Sequence, residues 1–125
     1  MAKLFAKEEL PHFTSTRDTR DRLDLVKAEV PVDAQQIHSD RIVYHPGDTA
    51  APHYHLGSHH LFYVLSGEGL IYVDGESQRL KAGMVAIVGP GEAHWFENDT
   101  QENFTFVEFW APPPRGETVW VTDDC

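Results

Sequence analysis

The stretch HYHLGSHH, residues 53–60, holds four of the eight histidines in this 125-residue chain. Imidazole titrates near neutrality, and its neutral form binds most divalent transition metals. So dense a group of histidines therefore predicts metal binding, provided that several rings face a common centre. In a β-strand the residues i and i+2 share a face, so His53 and His55 are expected to point the same way and to chelate one ion.

Two more positions extend this candidate site. His59 and His60 are neighbours in the next predicted strand, so only one of them can face the interior. His94 lies far along the chain in GEAHWF, residues 91–96, where a glycine-rich turn leads into another strand. A barrel would bring such a strand across to the histidine-rich stretch.

The elements that must position these side chains are predicted to be strands. From residue 23 onward, short apolar or alternating runs recur between Gly, Pro and Asp turn signals, which is typical of all-β sandwiches and barrels. The strongest turn signal is Asp74-Gly75, because glycine accepts the positive φ of a tight hairpin. The predicted strands are Leu23–Val30, Ile37–His45, Pro52–Leu56, His60–Leu65, Leu70–Val73, Ser77–Leu80, Met84–Val88, Ala93–Glu97, Phe104–Trp110 and Glu117–Thr122.

The length of the chain predicts one domain. We expect a polar N-terminal arm or first helical turn over residues 1–22, an antiparallel β-barrel over 23–111, and an extended tail over 112–125. The tail begins with three prolines and carries Trp120, so we expect it to pack on the barrel or on a partner subunit.

The charge of the chain excludes several classes of partner. A formal net charge of −10 repels phosphate backbones and anionic membranes, so neither nucleic acid nor membrane is expected to bind. The start, MAKLFAKEELPHF, lacks the apolar run of a secretory signal, which predicts a cytoplasmic protein. The one cysteine, Cys125, cannot form an internal disulfide.

The histidine-rich stretch resembles the first motif of the cupins, G-x5-H-x-H-x(3,4)-E-x6-G. Gly47, His53, His55 and Gly67 occupy the glycine and histidine positions of this motif. His60 stands where most cupins have glutamate, with four residues in the variable spacer. This replacement changes the chemistry of the site, because it exchanges a carboxylate for an imidazole.

The region around His94 is similar to the second cupin motif, G-x5-P-x-G-x2-H-x3-N. Gly83, Gly91, His94 and Asn98 match this pattern, and Gly89 stands where the motif has proline. The resemblance covers roughly residues 41–110. It implies a small double-stranded β-helix, or jelly-roll, barrel.

In cupins the residues at the ligand positions bind one metal ion inside the barrel. Carried over to this chain, the resemblance implies one divalent ion, Fe, Mn, Ni, Cu or Zn, held by four histidines: His53, His55, His60 and His94. His59 remains the alternative to His60, but it requires a one-residue shift that would turn the strand's apolar side chains to the wrong face.

Strand parity also predicts the residues that surround the ion. Phe62 shares the face of His60, and Phe96 shares the face of His94, so both are expected to line the pocket. Glu108 is a candidate general base if its face is inward, although an outward Glu108 beside inward Val107 and Phe109 fits the pattern as well. Tyr72 is a second candidate for proton transfer.

Three classes of function remain open. An all-histidine ligand set resembles that of oxidative cupins, so the first hypothesis is a dioxygenase-like oxidoreductase. Four neutral rings leave the ion at +2, which predicts a small anionic or chelating substrate. The alternatives are a non-redox enzyme acting on a sugar or keto acid, and a binding module without turnover. Because cupins are commonly dimers, we also expect a homodimer.

Overall fold

The computed structural model describes residues 4, 6–14, 21–25, 38–55, 57–111 and 118–120. Within these ranges, nine side chains lie outside the description: Lys7, Phe13, Thr14, His38, His55, Ala111, Thr118, Val119 and Trp120. The regular structure of the described residues is one short 3₁₀ turn, Lys7–Glu9, and eleven strands. None of the helical structure in these ranges is long and apolar enough to cross a membrane.

The strands form two antiparallel sheets. A six-stranded sheet has the order β1-β2-β3-β10-β5-β8, and a five-stranded sheet has the order β11-β4-β9-β6-β7. This arrangement confirms the predicted all-β antiparallel barrel. The strands in chain order are β1 His12–Thr14, β2 Asp21–Asp24, β3 His38–Tyr44, β4 His53–His55, β5 His59–Ser66, β6 Glu68–Val73, β7 Glu76–Lys81, β8 Val85–Val88, β9 His94–Glu97, β10 Phe104–Ala111 and β11 Thr118–Trp120.

The two ends of the chain add edge strands to these sheets. Strand β1 pairs with β2 at His12↔Leu23, so part of the expected N-terminal arm belongs to the six-stranded sheet. At the other end, β11 pairs with β4 at Trp120↔His53. The predicted strand Leu23–Val30 is observed as Asp21–Asp24, and residues 26–30 lie outside the described ranges.

The core between the sheets is rich in aromatic rings. Alternation along β10 turns Phe104 and Phe106 inward, where both are fully buried. They pack with Tyr44 from β3, and the Tyr44 and Phe106 ring centroids lie 5.8 Å apart. Phe62 and Phe96 continue the cluster towards the histidines, with ring centroids 4.7 Å apart. This layer closes one side of the candidate site with apolar surface.

The motif asparagine has a structural role. The Asn98 side chain is fully buried, and its amide donates to the carbonyl oxygens of Tyr44 at 2.9 Å and Glu102 at 2.6 Å. Its side-chain oxygen accepts from the backbone N–H of Thr100 at 2.9 Å. These bonds tie the loop after β9 to the end of β3, and so fix the strand that carries His94.

The glycine that ends the first motif lies where the chain passes from β5 in one sheet to β6 in the other. Gly67 has a φ of +73°, and a Cβ at this position would collide with the carbonyl oxygen of Asn103. A side chain is therefore opposed both by the backbone conformation and by a neighbouring backbone atom that cannot move independently.

We expect Gly67→Ala to lower the free energy of unfolding by about 2–5 kcal/mol, combining positive-φ strain with backbone overpacking. Gly75→Ala is the matched control, because Gly75 has a φ of +87° but no atom within 4 Å of the added Cβ. That variant should lose only the strain of about 1–2 kcal/mol. Urea unfolding of both variants tests the difference, and equal losses would contradict the steric argument.

Candidate metal centre

Three histidines from three strands meet inside the barrel. His53 on β4, His60 on β5 and His94 on β9 are 5%, 3% and 1% exposed. The ring centroids of His53 and His94 lie 4.5 Å apart, and those of His60 and His94 lie 5.4 Å apart. Since β4 and β9 belong to one sheet and β5 to the other, the rings face each other across the interior.

Backbone carbonyls fix the orientation of two of these rings. His53 Nδ1 lies 2.9 Å from the carbonyl oxygen of Ala51, and His94 Nδ1 lies 3.0 Å from that of Glu92. A carbonyl oxygen only accepts, so each Nδ1 carries a proton and donates it. When the ring is neutral, its lone pair is then on Nε2. Histidines that bind metals are oriented in this way by a hydrogen bond from the other nitrogen.

His60 is oriented by a side chain instead. Its Nε2 donates to Glu108 Oε2 at 2.9 Å, and the two side chains are only 4% and 3% exposed. The neutral His60 ring therefore carries its lone pair on Nδ1, unlike the other two rings. When the carboxyl group of Glu108 is ionised, this bond is charge-assisted, and such bonds are shorter and stronger than neutral ones. Glu108 thus faces the interior and acts directly on His60.

The fourth proposed ligand, His55, lies on β4 two residues after His53, but its side chain is outside the description. Among the side chains that are described, no three or more His, Cys, Asp or Glu residues are arranged so that they could hold a metal ion. The donors that are described nevertheless suit a divalent ion, because buried neutral imidazoles with assigned lone pairs are strong ligands. His55 would be the fourth ligand of the predicted set.

The structure separates the two adjacent histidines as strand parity requires. His59 is exposed, whereas His60 is buried, and β5 continues with buried Phe62 and Val64 at alternate positions. The observed register therefore places His60, and not His59, on the interior face.

Aromatic side chains surround the His60 ring. The Phe62 ring centroid lies 4.2 Å from that of His60, and the Trp110 centroid lies 4.8 Å from it. Phe96 lies one layer deeper, against Phe62. Phe62 and Phe96 were predicted to line the pocket. Trp110 was not, although it shares the face of Glu108 in β10.

A second acidic residue near Glu108 was also missed. Asp40 on β3 is directly opposite Glu108 in the antiparallel register and is fully buried. The available signal was its spacing, because Asp40, Ile42 and Tyr44 alternate on the face of β3 that enters the core. A carboxyl group on that face is unusual, since acidic side chains are seldom fully buried.

The structure does not bring Tyr72 into the histidine group. Tyr72 pairs with Trp95 in the register of β6 and β9, on the opposite face from Ile71 and Phe96. The Tyr72 and Trp95 rings stack with centroids 3.8 Å apart. Tyr72 also donates to Glu97 Oε1 at 3.0 Å, and this bond to a carboxylate raises the phenol's pKa above its usual value. A group on that face cannot serve a reaction among the buried histidines.

Comparison with known proteins agrees with this architecture. The family model for the cupin domain matches residues 40–110, which is more than half of the chain. The chain belongs to the cupin family. The matched part of this cupin contains Asp40 at its beginning and Trp110 at its end, and it includes the described histidines of the interior.

Among curated proteins, this cupin is similar to the oxalate-binding protein of Thermotoga maritima, with 34% identity over 62 residues. The match covers 50% of this chain and 51% of the relative. The chain thus spans about half the length of the curated relatives it matches.

Two solved structures show the same fold. A predicted oxalate decarboxylase from Thermotoga maritima aligns with a TM-score of 0.76 at 22% identity, covering 89% of this cupin and 100% of that chain. A polyketide cyclase from Streptomyces resistomycificus aligns with a TM-score of 0.84 at 16% identity, covering 98% and 87% of the two chains. At such identities the likeness concerns the fold alone.

Proposed function

We propose that this cupin binds one divalent transition-metal ion through four histidines and uses it to oxidise a small chelating carboxylate with dioxygen. The proposed ligands are His53, His55, His60 and His94. The observation that carries the proposal is the group of three buried imidazoles whose orientation is fixed by Ala51, Glu92 and Glu108. Imidazoles whose second ring nitrogen is held by a hydrogen bond in this way are typical of metal ligands.

If it were bound there, a redox-active ion, Fe or Mn, would supply a binding position for an anionic chelate and an electron acceptor. The residues of the chain would determine the charge and the solvent access around the ion. Glu108 increases the electron donation of His60 and, when ionised, offsets one unit of the ion's charge. The net charge of the site is then lower than the +2 that four neutral imidazoles alone would leave on the ion. The lower charge favours the oxidised ion, and the positive charge that remains still attracts an anion. Phe62 and Trp110 exclude water from one side of His60.

The choice of a carboxylate has support from a relative. The similar protein of Thermotoga maritima is an oxalate-binding protein, and the matched half of this chain is 34% identical to it. A dicarboxylate of that size could offer two oxygens to adjacent positions of a bound ion. Oxalate is therefore the first ligand to test.

The buried pair of His60 and Glu108 also favours a second candidate, a non-redox reaction such as decarboxylation or isomerisation. The pair holds a proton between Nε2 and Oε2 inside the barrel, where it can be passed to a substrate atom. In that reaction a bound ion would act as a Lewis acid on a carboxylate or keto group, and no dioxygen would be consumed.

The first experiment is elemental analysis of protein purified without added metal, which we expect to give about one transition-metal ion per chain. Calorimetry should then show oxalate binding to the loaded protein and none to protein stripped with a chelator. Oxygen uptake with Fe- or Mn-loaded protein is measured against oxalate, keto acids, enols and catechols. Protein that neither retains nor takes up metal would overturn the proposal. Turnover without oxygen uptake would favour the second candidate, a non-redox reaction.

A further inference from the structure

An open cavity lies on the outside of the six-stranded sheet, where β2, β3 and the chain before β1 meet. Its volume is about 570 Å³, within the range of about 300–1,000 Å³ that small-molecule sites occupy. It is here called the outer cavity. Its lining includes Glu8, Leu10, Asp21, Leu23, Arg41 and Val43.

The strand register places the floor of the outer cavity on the face of the sheet that points away from the core. Ile42 of β3 is buried in the core, so its neighbours Arg41 and Val43 face outward. Leu23 of β2 lies directly opposite Arg41 and shares this outer face. Asp21 lies directly opposite Val43 and shares it too. The sheet therefore separates the outer cavity from the histidine group.

The chain before β1 contributes an apolar wall to the outer cavity. The backbone N–H of Asp24 donates to the carbonyl oxygen of Pro11 at 2.9 Å, which ties this segment to β2. Leu10 of the segment lines the cavity and is partly buried. Leu23 is only 5% exposed although it points away from the core. The two leucines give the cavity an apolar part, which favours a ligand with a hydrocarbon group.

Arg41 supplies the cavity with a cation that has no partner among the described residues. Its guanidinium forms no ion pair with any of them, and its buried Nε has no hydrogen-bond acceptor there. Arg79, by contrast, pairs with Glu68 and Asp99. Buried N–H groups in proteins nearly always have an acceptor, so this Nε points to a ligand. A guanidinium binds a carboxylate through two parallel N–H···O bonds, which makes a carboxylate the matching group.

Acidic side chains lie in the same lining but do not pair with Arg41. Asp21 is its diagonal neighbour in the register of β2 and β3, and such neighbours are about 7–8 Å apart. Asp21 Oδ2 lies 3.3 Å from His45 Nε2, and a carboxylate has further lone pairs with which to accept. Glu8 adds a second carboxylate to the lining. The outer cavity therefore presents charges of both signs at separate positions.

We propose that the outer cavity binds a small amino acid with an apolar side chain. The carboxylate of the ligand lies on the Arg41 guanidinium, and its ammonium group lies beside Asp21 and Glu8. The hydrocarbon part lies against Leu10 and Leu23. A phosphate or a dicarboxylate suits the cavity less, because its second negative charge would be repelled by the acidic side chains of the lining. The proposal does not depend on metal binding or on the proposed reaction.

The ligand class is tested with three probes that share one hydrocarbon shape. Calorimetric titration of the parent with L-leucine should show saturable binding with a Kd below about 1 mM. The first analogue, 4-methylpentanoate, lacks the ammonium group, and the second, 3-methylbutylamine, lacks the carboxylate. Each should bind about tenfold or more weakly, because it leaves one charge of the lining without its partner. An analogue that binds as tightly as L-leucine would overturn the proposal.

The location of the site is tested with two arginine variants. Arg41→Gln should weaken L-leucine binding about tenfold or more, because it removes the guanidinium from the lining. Arg79→Gln is the matched control, since Arg79 lies on β7 in the other sheet; this variant should bind L-leucine like the parent. Both variants should keep the metal content of the parent, which excludes L-leucine held by an ion among the histidines as the cause of the difference. No saturable binding of L-leucine to the parent, or unchanged binding to Arg41→Gln, would overturn the proposal.

Discussion

His94→Ala is expected to abolish stoichiometric binding of a divalent ion. His94 lies closest to the centre of the group, with its ring 4.5 Å from that of His53 and 5.4 Å from that of His60. Its Nδ1 donates to Glu92, so Nε2 is the nitrogen that would bind. Removal of a hydrogen-bonding neighbour of a ligand lowers metal affinity about 10–100-fold, and removal of the ligand itself should exceed this range. Titration with Zn²⁺ or Fe²⁺ followed by elemental analysis measures the loss.

The matched control is His59→Ala, which removes an imidazole one residue from a proposed ligand but on the exposed face. This variant should keep the metal content and affinity of the parent. His94 is buried, so circular dichroism must show that the alanine variant retains its β-structure. Equal metal loss in the two variants would refute the site, because an exposed ring cannot bind an ion held inside the barrel.

The sequence was sufficient to predict the fold and the orientation of the best-patterned strands. In β5 the residues from Leu61 to Leu65 are all apolar or aromatic, so the choice of His60 over His59 rested on the spacing of the cupin motif, and the alternating burial along the strand agrees with it. Turn residues marked most of the strand ends, because Gly, Pro and Asp favour turns through their local backbone conformation. Strand β1 was missed because three residues are too few to establish an alternating pattern.

Other features depend on contacts between distant strands and could not be predicted locally. Tyr72 lies in the run Leu70–Val73, where every side chain is apolar or aromatic, so no alternation indicates which face is inward. The orientation of Glu108 was ambiguous because apolar residues flank it on both faces of β10. Its bond to His60 depends on how β10 aligns with β5, which the local pattern does not determine.

Asp40 was missed for a related reason. Its carboxyl group is fully buried opposite Glu108, yet in the sequence it resembles an ordinary polar residue at the start of a strand. Burial of two acidic side chains in neighbouring strands has a free-energy cost that hydrogen bonds or ion pairs must offset. Glu108 is bonded to His60, so these buried acidic residues lie where the proposed chemistry would take place.

Glu108→Gln is expected to lower metal affinity about 10–100-fold, the range observed when a hydrogen-bonding partner of a ligand is altered. The amide oxygen can still accept from His60 Nε2, so the ring keeps its place while the negative charge is lost. His60 then donates less electron density to the ion. With iron or manganese bound, the reduction potential should rise, because a neutral amide stabilises the oxidised ion less than a carboxylate does. Calorimetric titration and voltammetry of the loaded protein give the two quantities.

Glu97→Gln provides the comparison that separates this effect from a general loss of acidic charge. Glu97 is also a partly enclosed carboxylate that accepts a hydrogen bond, but its donor is Tyr72 on the opposite face of the β6–β9 pair. The same substitution there removes the same charge from the chain without touching a proposed ligand, so metal affinity and potential should remain those of the parent. If Glu108→Gln behaved like Glu97→Gln, then His60 would not be a ligand. The buried pair would instead have to act as a proton carrier beside an ion held by the other histidines.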